Sequence, residues 1–166
     1  MLISKLGPEG LFEITLNPTG DSRGWFMRTY DMEILGAHGI NINWVQENHS
    51  FSLKKNTVRG LHFQLGEFAE TKLVRCISGS VFDVAVDLRK DSEYFGKWIG
   101  LELSADNRKM ILIPKGFAHG FCTLQDKTEV LYKVDNYYSP GNEYGILWND
   151  LDINIEWPLK GDPVIS

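Results

Sequence analysis

Four side chains in this sequence have the types needed to move a proton beside a carbonyl group. His62 lies in Arg59-Gly60-Leu61-His62-Phe63-Gln64, and His119 lies in Gly116-Phe117-Ala118-His119-Gly120-Phe121. Each sits where a strand-like run meets a glycine-bounded turn, and Lys72 and Tyr132 lie in neighbouring strand-like runs. A carbon acid next to a ketone is weak. Its ionisation needs a positioned base, a group that stabilises the enolate charge, and an acid that returns the proton. An imidazole, an ammonium and a phenol can supply all three.

Taken singly, each of these residues has a plainer reading. His62 follows Arg59 by three positions in an extended segment, so the two side chains point to opposite faces unless a bulge or bend intervenes. Gly60 would permit a close backbone approach there. Lys72 alone reads as a charge at a strand edge, and Tyr132 as a barrel aromatic with its hydroxyl at a rim. Tyr137, Tyr138 and Tyr144 could each stack on a planar base or sugar. A metal site would draw on His62, Gln64, Glu67 and Glu70, with His49 more remote. No second histidine stands close to His62 and three good ligands on one face are not evident, so no metal is expected.

The elements that must position these groups are mostly short strands punctuated by turns. Alternation predicts strands over residues 11–16, 24–30, 43–46, 57–64, 72–78, 80–88, 97–103, 109–114, 120–124 and 130–134. Residues 31–36 form the best helix candidate, with Asp31 as N-cap and Gly36 as terminator. In residues 80–88, Val81, Asp83, Ala85 and Asp87 share one face and Phe82, Val84, Val86 and Leu88 the other, which predicts a core face opposite a carboxylate-bearing one. So many short strands with so little helix indicate one all-β sandwich or barrel domain.

Composition narrows the function. A chain of 166 residues suits a single domain, and 43% hydrophobic residues is ordinary for a folded one. The formal net charge of -5 disfavours nucleic-acid binding, although local arginines and lysines can still hold an anionic small ligand. Cys76 and Cys122 lie in apolar runs without metal-ligand spacing, which fits buried free thiols in a reducing compartment. Residues 1–8 lack a signal-peptide pattern and no apolar run reaches spanning length, so a cytoplasmic protein without a membrane partner is expected.

Taken in order, several segments resemble the nucleotide-sugar 3,5-epimerases, the dTDP-4-dehydrorhamnose 3,5-epimerase family. They are Asp21-Ser22-Arg23-Gly24-Trp25-Phe26, Gln46-Glu47-Asn48-His49-Ser50, the two histidine segments, Lys72-Leu73-Val74-Arg75, residues 79–89, Tyr132-Lys133, Trp148-Asn149-Asp150 and Trp157-Pro158. The resemblance implies a cupin-type jelly roll (a double-stranded β-helix) with short peripheral helices, working as a homodimer without metal or cofactor. It implies a dTDP-4-keto-6-deoxyglucose substrate, epimerised at C3 and C5 through protons α to the C4 ketone, in dTDP-rhamnose biosynthesis for cell-surface polysaccharide.

By the same resemblance, His62 matches the base, Tyr132 the acid and Lys72 the cation near the C4 oxygen. Arg59 matches a diphosphate contact, His119 a pocket residue, and Gln46 and Asn48 nucleotide contacts. Tyr138 matches the aromatic that stacks on thymine, and Glu143 a further ligand contact. Arg23 and Phe26 match residues donated across the dimer by strand exchange.

The sequence departs from the family pattern in places. Arg28 stands where the family usually has a glutamate that contacts the nucleotide, Phe63 replaces a tyrosine, and Glu70-Thr71 replaces Gln-Gly before the lysine. The single epimerase domain over residues 1–166 ends at Pro163-Val164-Ile165-Ser166, where relatives continue through a tail whose aspartate pairs with the catalytic histidine. Asp83 is the internal candidate for that partner. The competing expectations are an epimerase acting at C3 or C5 only, a nucleotide-sugar-binding protein with little activity, and a metal-dependent cupin such as an oxygenase.

Overall fold

The computed structural model describes residues 1–165. Strands β1 (Leu2–Lys5) and β2 (Phe12–Thr15) precede a small hairpin, β3 (Thr19–Asp21) and β4 (Gly24–Phe26), and the helix α1 (Met32–Gly36). The body follows as β5 (Gln46–Ser52), β6 (Thr57–Gln64), β7 (Lys72–Ser78), β8 (Ser80–Asp87), β9 (Trp98–Ser104), β10 (Lys109–Ile113), β11 (Phe117–Thr123) and β12 (Thr128–Val134). Two short strands, β13 (Glu143–Gly145) and β14 (Val164–Ile165), complete the fold. No helix among the described residues is long and apolar enough to cross a membrane.

One sheet has the strand order β1-β2-β10-β7-β12-β5, and the facing sheet β13-β6-β11-β8-β9 with β14 alongside β6. From β5 to β12 the chain alternates between the sheets, except at β8–β9, which pair as a hairpin. This is the jelly-roll winding that the resemblance implied. Val74, Cys76, Ile111, Ile113 and Val130 from one sheet meet Val81, Ala85, Leu103, Phe117 and Phe121 from the other in the barrel interior. Each buried Val, Leu, Ile or Phe side chain among them contributes about 1.5–3 kcal/mol by leaving water.

Both sheets are also covered on the outside. Leu35 of α1 and Ile40 pack with Phe12, Ile14, Leu73, Met110 and Leu112 over the first sheet. Ile146, Ile153, Ile155 and Trp157 pack over Leu61, Val84, Val86 and Ala118 of the second. Central strands are therefore buried on both faces, which corrects the expectation for β8. Its carboxylate-bearing face is the barrel interior, and Phe82, Val84 and Val86 face the covering segment. Asp87 is fully buried and satisfied by Arg89 Nε at 2.9 Å, Arg89 Nη2 at 2.6 Å and Ser92 Oγ at 2.7 Å.

Other expected boundaries shift for local reasons. Asp31 caps α1 as expected, accepting from the Glu33 and Ile34 amides, but the helix runs through Gly36 to an Ala37 C-cap. The strand expected over residues 24–30 stops at Phe26, and that expected over 43–46 begins only at Gln46 and continues to Ser52. Strand β11 begins three residues before the expected Gly120, so His119, like His62, lies within a strand rather than at a turn. Cys76 and Cys122 are buried free thiols, and burial pushes both up to about 11.

Candidate active site

Strand register decides which side chains reach the barrel interior, because directly paired residues share a face. On the first sheet, Tyr132 pairs with Val74 on one side and Asn48 on the other, and Val134 pairs with Lys72 and Gln46. Val74 is core, so Tyr132, Asn48, Lys72 and Gln46 all face inward. On the second sheet, Phe121 pairs with Arg59 and His119 with His62. Phe121 is core as well, so these three polar residues also face inward.

Arg59 and His62 share a face because β6 carries an extra residue. Between the two pairs, β11 advances two residues and β6 advances three. The bulge falls at Gly60, whose φ of +121° favours glycine and whose absent side chain lets β6 close on β11. A Cβ there would meet Gly120 Cα at 2.5 Å and the His119 carbonyl oxygen at 2.7 Å. Arg59 is then pinned to β5, its Nε donating to Ser52 Oγ at 3.1 Å and its Nη2 to the Phe51 carbonyl at 3.3 Å.

Electrostatics fit the proton chemistry. His62 meets solvent at the barrel mouth, yet the surrounding walls desolvate it enough to lower its pKa from 6.5. Glu143 opposes that shift, and Lys72, His119 and Arg59 reinforce it. At neutral pH the imidazole is free to accept a proton. Burial raises the Tyr132 phenol above 10, helped by Glu70 and Glu143 and opposed by Arg59. It therefore keeps its proton and can donate it.

Lys72 is enclosed rather than solvent-facing, with 11% of its side chain exposed and its Nζ 3.0 Å from Glu70 Oε1. His119 Nε2 lies 2.9 Å from both oxygens of Asp83, whose side chain is fully buried. This corrects the expected pairing of Asp83 with His62: on β8 Asp83 is cross-strand from Phe121, within reach of His119. Glu143 pairs in register with Gln64, two residues from His62, and its Oε2 accepts from Tyr138 Oη at 2.8 Å. Gln46 Nε2 donates to Asn48 Oδ1 at 3.0 Å.

Three expected site residues do not reach this mouth within the chain. Arg23 is exposed and bound to Asp21 on the β3–β4 hairpin, and Phe26 is 70% exposed there. Arg28 holds Asp31 at 2.6 Å beside the α1 N-cap. The histidine considered as a remote metal ligand, His49, pairs with Glu129 at 2.7 Å. It is cross-strand from Leu131, on the outer face. The sequence marks Glu70 only as a possible metal ligand and as a departure before the lysine, whereas the structure joins it to the proton-transfer site through Lys72. Its signal was the two-residue spacing to Lys72, which puts both on one face of an extended segment.

A proton acceptor and a proton donor on the inward faces of opposite sheets, with an enclosed cation whose charge reaches the acceptor, suit an isomerase acting on a carbon acid. Known proteins agree. A sequence model described as dTDP-4-dehydrorhamnose 3,5-epimerase matches residues 5–166. The dTDP-4-dehydrorhamnose 3,5-epimerase of Salmonella typhimurium is 55% identical over 148 residues, 89% of this chain and 80% of its own length. The Bacillus anthracis enzyme of that name, solved with TDP and PPi bound, superposes with a TM-score of 0.94 at 44% identity, covering 99% of this chain and 95% of that one. A 3,5-epimerase from Legionella pneumophila, solved with dTDP-4-keto-L-rhamnose, also gives 0.94, at 38% identity over 99% of this chain and 87% of its own. The chain belongs to the dTDP-4-dehydrorhamnose 3,5-epimerase family, whose members are isomerases.

Proposed function

We propose that this protein converts dTDP-4-keto-6-deoxy-D-glucose to dTDP-4-keto-L-rhamnose by inverting C3 and C5, with His62 as base and Tyr132 as acid. The observation that carries the assignment is their placement: His62 projects from one sheet and Tyr132 from the facing one. His62 takes the proton from the carbon next to the ketone, and the C–H electron pair becomes an enolate with its charge on the C4 oxygen. The Lys72 ammonium stabilises that charge. Tyr132 Oη then gives a proton to the opposite face of the carbon, His62 and Tyr132 regain their starting protonation by exchange with solvent, and the same cycle serves the second centre. Each step moves a proton with no net oxidation, so the chemistry requires no redox cofactor.

Around this centre, Arg59 suits the diphosphate and His119, held by Asp83, the sugar. Gln46, Asn48, Tyr138 and Glu143 suit the nucleotide, with Tyr138 free to stack on thymine. The exposed Trp25 and Phe26 of the β3–β4 hairpin support a homodimer in which Arg23, Phe26 and Arg28 enter the partner's site. Residues 1–166 then act as one cytoplasmic epimerase domain. Incubation with the 4-keto-6-deoxyglucose nucleotide in deuterated water tests the assignment. Deuterium at both C3 and C5 with appearance of the L-lyxo sugar is expected, and absence of exchange at either carbon would overturn it.

A further inference from the structure

The enclosed cation of the site is not alone. Glu70 lies just before β7, with 12% of its side chain exposed. Its Oε1 accepts from Lys72 Nζ at 3.0 Å, and its Oε2 accepts from Gln64 Nε2 at 3.2 Å. Gln64 is 5% exposed and is itself held: its Oε1 accepts from the Ser139 amide at 2.6 Å. Its Nε2 also faces the carbonyls of Phe68 at 3.0 Å and Tyr137 at 3.2 Å. Two hydrogens serve three acceptors there, so Gln64 is bound from several sides and cannot turn away from Glu70.

A carboxylate this close to an oxyanion-stabilising cation weakens the cation's field, so its presence needs a reason. Two are available. An enclosed ammonium keeps its place when a counter-ion and hydrogen bonds replace the lost water. With one of its three donors committed to Glu70, the Lys72 ammonium keeps two for a ligand. The same carboxylate also bears on Tyr132 across the strand pair β7–β12.

We propose that Glu70 is a positioning residue for the epimerisation: clamped by Gln64, it fixes the Lys72 ammonium toward the substrate's ketone oxygen. This rests on the reaction proposed above. Glu70 is the second cause, after burial, of the raised Tyr132 pKa, Glu143 on β13 adds to it and Arg59 on β6 opposes it. The direct cross-strand neighbours of Tyr132, Val74 and Asn48, carry no charge. Around Lys72, the paired Val134 and Ile113 are apolar, and His62 faces it from β6. Asp135, next in the chain, is taken by the Thr71 amide and Lys115.

The test is Glu70→Gln, which preserves shape and removes the charge, with Glu70→Asp as a second variant that keeps the charge and shortens its reach. Three readouts are needed: kcat and KM across pH, affinity for dTDP alone, and the ultraviolet tyrosinate titration, with Tyr132→Phe identifying the Tyr132 component. Glu70→Gln is expected to lose about tenfold or more in kcat while dTDP affinity changes little, the pattern of an interaction made in the transition state. Its Tyr132 titration and the alkaline limb of kcat should both move to lower pH, because the opposing charge is gone. Glu70→Asp should lose kcat while its tyrosine titration stays near that of the parent protein.

A Glu70→Gln protein with unchanged kcat, alkaline limb and Tyr132 titration would overturn the inference. If Glu70→Gln does not fold, Glu70→Asp decides, and full kcat in that variant would overturn the positioning role. If the parent protein itself fails to exchange substrate protons, the proposed reaction falls. The tyrosinate titration then still judges the Glu70–Tyr132 relationship separately.

Discussion

His62 and His119 are cross-strand partners, brought level by one extra residue in β6. Without that residue, the spacing of three between Arg59 and His62 would send one of them to the outer face. The bulge at Gly60 thus turns a strand that could present one polar group to the cavity into one that presents two.

Gly60→Ala should therefore damage both stability and catalysis. The positive φ and the contact with Gly120 Cα at 2.5 Å leave no room for a methyl group without moving backbone. A loss of about 1–3 kcal/mol in urea denaturation is expected for such strain. Turnover should fall further than the folded fraction explains, because Arg59 and His62 would lose their common face. Normal stability and turnover would show that the bulge is dispensable.

The pH dependence of kcat/KM follows from His62. Desolvation lowers its pKa from 6.5, so the imidazole stays neutral, and competent as a base, until the pH drops below its ordinary range. The acid limb for the free enzyme should lie below pH 6.5. Among the described residues Glu143 is the charge that raises this pKa, so Glu143→Gln should move the limb to still lower pH. A limb above 6.5, or one that moves upward in Glu143→Gln, would contradict the assignment.

Asp83→Ala should leave the inward imidazole of His119 without its buried acceptor. Stranding a buried hydrogen-bonding group costs about 1–3 kcal/mol, measurable as a lower denaturation midpoint. Asp83→Asn keeps one acceptor oxygen and should retain more stability, while its altered hydrogen bond to His119 lowers turnover. Equal stability in the two variants would mean that the contact contributes only packing.

Much of this frame was legible from residue patterns, and the exceptions share a cause. Strands β6 and β7 have their expected limits because the chain around Thr57–Gln64 and Lys72–Ser78 breaks at both ends. Strand β5 lies beyond the run that the pattern predicts because Gln46-Glu47-Asn48-His49-Ser50 has weak strand preference and forms a strand through its pairing with β12. The alternation in β8 reads as that of a sheet covered on one side, whereas residues 146–157, far along the chain, bury the other. Chemical types at the site were readable, but their partners were not. The links from Asp83 to His119 and from Gln64 to Glu70 depend on tertiary register that local sequence does not encode.

If the β3–β4 hairpin completes the partner's site, two inactive variants should rescue each other. His62→Ala and Arg23→Ala, each weakly active alone, would form mixed dimers with one site intact. Equal mixing after subunit exchange should restore about one quarter of full activity for a two-fold dimer. Activity equal to the average of the two separate variants would place Arg23 outside the partner's site.

The division of labour between His62 and Tyr132 is tested most directly by deuterium uptake in single variants. In deuterated water, His62→Ala should lose both exchange and inversion, by about 10²–10⁴-fold, the usual range for removing a general base. Tyr132→Phe should still exchange substrate protons through His62 on one face while product with inverted centres fails to accumulate. Exchange in His62→Ala at the rate of the parent protein would contradict the account, whatever Tyr132→Phe does.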